Sequence, residues 1–271
     1  MKFKTILFIS IALLLTVSAC KKWKNNRETI TSEDHALAEA SFNNVLNHLI
    51  LVASPFGELL VDSCFSITSS GDSFPKTVAV DFIDGCSELL GVSIQGTISV
   101  TLTDSLNHKN AVMTATPENL YIKGYKVEGI VTVENTGVNS SGNKTYRMTV
   151  SNGIITAEQE KTGEDFSITW QCDYQYELTD INNEIVQLDD RYQITGTASG
   201  VNQEERNYAA EIIEPLSKYV DCHWPGSGKI KISPDGLKER DLNYGECEPS
   251  NCCDNVATEE AKWTDKTVRM K

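Results

Sequence analysis

The residue types that carry acid–base, nucleophilic and metal chemistry are all present in this chain, but they are scattered rather than gathered into motifs. The four histidines, His35, His48, His108 and His223, stand outside H-E-x-x-H and every other local metal signature. Adjacent carboxylates occur at Asp189-Asp190 and Glu204-Glu205. A glycosidase would set such a pair on either side of a sugar bond, yet acids are abundant here and neighbouring ones in a loop are expected to be solvated. Asp180-Ile181-Asn182-Asn183-Glu184 offers oxygens without the glycine of a calcium loop, and so reads as a turn. Gly226-Ser227-Gly228-Lys229 has a phosphate-loop look, but Ile230 stands where the hydroxyl that meets the metal would be. No G-x-S-x-G elbow occurs. The expectation is therefore no catalytic residue, no metal site and no cofactor. A hydrolase with residues drawn from separate loops is the rival reading.

Cysteine chemistry is more informative. Lys2 and Lys4 precede an almost wholly apolar run from Thr5 to Val17, the charged and hydrophobic parts of an export signal and too short for a spanning helix. The run ends in Val17-Ser18-Ala19-Cys20, which resembles a bacterial lipobox. That resemblance implies removal of residues 1–19, diacylation of Cys20 with long-chain fatty acids such as palmitate, and attachment to a membrane through more than one acyl chain. Residues 20–31 then read as a lipidated linker, and Lys21-Lys22-Trp23-Lys24 suits either anionic lipid or solvent. By analogy with Gram-negative sorting, Lys21 directs the protein to the outer membrane, facing the periplasm, with surface exposure the alternative.

Seven cysteines remain beyond Cys20, and an oxidising compartment makes disulfides the default. The expected bridges are Cys64 with Cys86 and Cys222 with Cys253, with Cys247 to Cys252 as a third across a Pro-Ser-Asn turn; Cys172 is then left over. Losing Lys2 and Lys4 from 24 basic residues leaves 22 against 38 acids, a net charge near −16. That argues against nucleic acid as a partner, because phosphate binding needs clustered cations.

The elements that must position these groups change character once along the chain. From Ser32 to Ala53, Leu37, Phe42, Val45, Leu46, Leu49 and Ile50 recur at helical spacing, Thr31 or Ser32 suits the cap, and Pro55 and Gly57 stop the run. This predicts one amphipathic helix laid against a sheet. Afterwards the period is two. Strands are expected over 77–83, 96–102, 125–133, 146–150, 154–157, 192–198, 208–213, 228–232 and 267–270, joined by short polar turns and so antiparallel. A glycine opens an alternating run at Gly96, Gly129, Gly153, Gly196 and Gly228, where bulges would let a sheet coil. The fold class expected is mainly β: a curved antiparallel meander with one N-terminal helix, residues 32–271 forming one domain.

Val80-Asp81-Phe82-Ile83-Asp84-Gly85-Cys86, the stretch 119–129, Tyr192 to Gly200 and Cys222-His223-Trp224 together resemble the uncharacterised β-rich lipoproteins of Bacteroidetes. The resemblance implies an envelope address and an antiparallel fold, and brings no activity or catalytic residues with it. Tyr121, Tyr125, Trp170, Tyr174, Tyr176, Tyr192 and Trp224 lie in or near strands. They are expected either to pack a core or to line a concave face that holds a glycan or an acyl chain. On that second reading Tyr121, Lys123 and Tyr125 share one face of a strand, as do Tyr174 and Tyr176.

Overall fold

The computed structural model describes residues 28–53, 64–82, 91–158, 165–180, 190–220, 222–246, 254–260 and 265–270. The expectations for Cys20, Cys86, Cys247, Cys252, Cys253, the calcium-like segment beyond Asp180 and the whole of the export signal fall outside these residues.

One helix, α1 (Ile30–Ala53), precedes thirteen strands. They are β1 (Phe65–Ser69), β2 (Lys76–Phe82), β3 (Ile94–Leu102), β4 (Val112–Ile122), β5 (Tyr125–Val138), β6 (Lys144–Glu158) and β7 (Asp165–Asp180), followed by β8 (Arg191–Val201), β9 (Asn207–Tyr219), β10 (Ser227–Pro234), β11 (Arg240–Asn243), β12 (Val256–Glu260) and β13 (Lys266–Arg269). Every strand is antiparallel to its neighbour in sequence, in the uninterrupted order β1 to β13. The mainly β meander is thus as the alternation predicts. Lys123 and Gly124, both with positive φ, form the two-residue turn that returns β4 into β5. Tyr121, Lys123 and Tyr125 therefore do not form one row: a turn separates the two tyrosines.

The curvature comes from the glycines. Pairing slips at Gln95/Thr97, Glu128/Ile130, Val150/Gly153, Ile194/Thr197 and Ser227/Lys229, so each of the five strand-opening glycines lies at a bulge. Bulges bend a strand and increase its local twist, which lets a single broad sheet close around an object instead of lying flat.

That object is α1. The sequence predicts a helix with one face in solvent, but α1 touches β5, β6, β7, β10 and β13, and its central turns are buried all round, Ala36, Phe42 and Val45 being 0% exposed. Its polar residues point into the shell. Thr31 and Ser32 do not cap; the Glu28 carboxylate accepts from the Thr31 amide at 3.0 Å, while Ser32 Oγ donates to Glu259 Oε2 at 2.5 Å. Asn202 Nδ2 donates to Thr31 Oγ1 at 2.9 Å, and both the amide and Nε2 of Gln203 donate to Asp34 at 2.8 Å. Along β7 the partners follow in order: Trp170 donates to His35, Tyr174 to Glu39 and Tyr176 to Asn43. Four helical residues advance about 6 Å and two strand residues about 6.6 Å, so the step from Tyr174 and Glu39 to Tyr176 and Asn43 keeps helix and strand level. Buried polar groups are tolerated when they find partners, and the shell supplies them for Thr31, Ser32, Asp34, Glu39, Asn43 and Asn47, whereas His35 Nε2 has none among the described residues.

Candidate functional site

The concave side of the sheet, the place for an acyl chain or sugar on the sequence reading, is filled by α1. Trp170, Tyr174, Tyr176, Tyr192 and Trp224 all face inward and are buried, and half-buried Tyr125 packs against the same core, whereas Tyr121, between buried Leu120 and Ile122, lies on the opposite face. Phe42 of α1 stacks on Trp170 at 5.5 Å and 9°. The inward aromatics are therefore packing for the interior rather than a platform for a ligand.

The outer face carries an open groove of about 650 Å³ across β7 to β10. Its lining follows from register. One cross-strand row runs Gln171, Ser199, Ala209, Ser233, and the next runs Asp173, Thr197, Glu211, Lys231. Small side chains in the first row, with Ala198 and Ala210 beneath, lower the floor and leave the charged row standing as one wall. Glu239, from the β10–β11 turn, reaches the far end and accepts a hydrogen bond from Ser233 Oγ at 3.2 Å. Gln171 Nε2 donates to Ser199 Oγ at 2.9 Å.

The charges in this groove are in different states of engagement. Arg147 holds Asp173 through two hydrogen bonds, 2.8 Å from Nε and 2.6 Å from Nη2. That pairing keeps the Asp173 carboxyl below the usual carboxylate range and thus ionised, the opposite of what a proton donor requires. Lys231 sits in register between Glu211 and Asp241 and makes no ion pair among the described residues. An ammonium, carboxylates, a carboxamide and hydroxyls are thus presented together over a shallow floor, a set suited to polar hydrogen-bonding ligands.

The residues singled out from sequence lie elsewhere. His35 and His48 are sealed inside the shell, and burial pushes His35 down to about 3, leaving it neutral. His223 meets Asn44 of α1, and burial lowers it likewise to about 3. His108 is exposed, 3.1 Å from Asp104 in the β3–β4 loop. Glu204 and Glu205 occupy the β8–β9 turn, whereas Asp190 is buried. Gly228 is a bulge and Lys229 pairs with Glu260 at 3.1 Å and Glu214 at 3.6 Å, so that stretch is no phosphate loop. Cys172 is a buried free thiol, while Cys64 and Cys222 are disulfide-bonded; which cysteines they meet falls outside the described residues. No set of three His, Cys, Asp or Glu side chains placed to hold a metal occurs among the described residues. Small residues at matching positions of β8 and β9 were the available sign of the groove, but only the register brings them side by side. No protein-family model, curated protein or solved structure matches this chain.

Proposed function

We propose that this is a membrane-anchored envelope lipoprotein with a non-catalytic binding role, in which the β shell around α1 is a rigid scaffold and the β7–β10 groove is the ligand site. The observation that carries the reading is the pairing of an unengaged Lys231 with Glu211, Gln171 and Ser199 over a floor of small residues. Side-chain amides, carboxylates and hydroxyls are the groups that meet sugar hydroxyls, so a glycan is the ligand class favoured over a lipid. Ala209 is exposed at the middle of the floor. Ala209→Trp should leave stability within about 0.5 kcal/mol and weaken binding at least roughly tenfold, about 1.4 kcal/mol. The measurement is the shift of the Thr197, Ser199 and Glu211 amide resonances as envelope oligosaccharides are added. Unmoved resonances across such a panel would leave the protein a purely structural one.

The anchor rests on the lipobox-like Val17 to Cys20 and is tested separately. Cys20→Ser should abolish incorporation of labelled fatty acid and move the protein from the membrane pellet to the soluble fraction. Equal labelling of the two proteins would dismiss the anchor.

A further inference from the structure

Glu39 is the one acid at the middle of α1, and it is 1% exposed. Its Oε1 accepts from Tyr174 Oη of β7 at 3.0 Å and its Oε2 from Tyr244 Oη, just after β11, at 3.1 Å. Strands β7 and β11 stand four apart in the sheet order. A single carboxyl therefore ties two separated parts of the shell to the helix they enclose. We infer that Glu39 is a pH-sensitive latch between helix and shell: as a neutral acid it holds the two together, and its ionisation loosens them.

The surroundings support this from every side. Tyr176 and Cys172 face it from β7 and Tyr208 from β9, all neutral groups whose own ionisation burial opposes. His35, one turn earlier on α1, is neutral as described above. Lys218 of β9 is the cation that acts on it, and its attraction together with the two tyrosyl hydrogen bonds works toward ionisation. Burial outweighs them, and the Glu39 carboxyl is pushed up from 4.5 to about 7. Neutral, it can donate through one oxygen and still accept through the other; ionised, it is a charge without water.

The sign of the pH effect follows by linkage. The group takes up its proton more readily when folded, so its contribution is complete below pH 4.5 and is lost as pH rises through 7. Over that window the unfolding equilibrium constant of the parent relative to Glu39→Gln should rise by roughly two orders of magnitude, since every pH step between the unfolded and folded midpoints is tenfold, and the opposite contribution of buried His35 and His223 cancels in that ratio. Urea unfolding of the full-length lipidated protein in detergent, followed by tryptophan fluorescence between pH 5 and 8, reads this directly. Glu39→Gln keeps the shape and removes this one titration while leaving the opposing one of His35 and His223, so the two proteins should differ in pH dependence, the parent gaining on the variant as pH falls. If that variant does not fold, a ¹³C titration of the Glu39 carboxyl in the unaltered protein decides. A midpoint near neutrality, moved higher by Tyr244→Phe, supports the latch. A midpoint below 5, or a Glu39→Gln variant with the pH dependence of the parent, overturns it.

Discussion

Gly196→Ala is expected to cost about 4 kcal/mol, enough to unfold much of a marginally stable domain. Gly196 has φ +131°, and an added Cβ would stand 2.2 Å from the Asp173 carbonyl oxygen and 3.0 Å from Tyr174 Cα. Both are backbone atoms of the paired strand β7, so relief requires separating β7 from β8 at the bulge where the sheet turns around α1. Gly142 provides the control. Its φ of +88° is also left-handed, but nothing lies within 4 Å of the added atom, so alanine there carries only the conformational cost of roughly 1 kcal/mol. Denaturant unfolding of both variants separates conformation from collision. Equal losses would mean that the bulge tolerates a side chain and that the close approach of β7 and β8 is not what shapes the shell.

Phe42→Ala should be comparably damaging, by roughly 3–5 kcal/mol. The ring is 0% exposed, stacked on Trp170, and so close to Gly153 that a Cβ there would lie 2.8 Å from it. Removing it opens a cavity between α1 and the β6–β7 pair, where the rigid bulge at Gly153 limits collapse. Tryptophan emission should shift at the same time, because Trp170 loses its stacking partner. A loss below about 1 kcal/mol would show that α1 rests loosely in the shell.

The strands and the helix differ in how much of them sequence exposes. Alternation marks most of the sheet, but β1, β4, β7, β11 and β12 lie outside the stretches it identifies. In β4, Pro117 and the positive φ of Asn119 break the pattern. In β7 the outward Gln171, Asp173 and Gln175 are residues that favour strands little. β11 and β12 are four and five residues long and charged. The helix is legible as a helix, but its surroundings are not, because polar residues ordinarily mark the solvent side. Its composition holds the sign of the true arrangement: between Ile30 and Ala53 there is no lysine or arginine, only acids and the short side chains of Asn, Ser, Thr and His. Short polar groups suit fixed partners, whereas long cations suit water. The groove is not legible at all, because its two rows are assembled across four strands whose registers depend on bulges.

The polar character of the enclosed helix bears on how the chain is made. Each strand pairs with the one before it, so the sheet can grow as successive hairpins with little search. The helix closes its bonds over much longer distances, Thr31 to Asn202 across 171 residues and Ser32 to Glu259 across 227. It is synthesised first and must wait, unwrapped, for the strands that will enclose it. A purely apolar core helix leading the chain would be a hazard in that interval, prone to aggregate or to lodge in a bilayer. This one is not apolar enough to span a membrane, and its Asn, Ser and Glu side chains can hold water until tyrosines and glutamines replace it. The same residues thus serve first as a solubilising coat for a nascent segment and later as the pegs on which a ribbon of hairpins is wound.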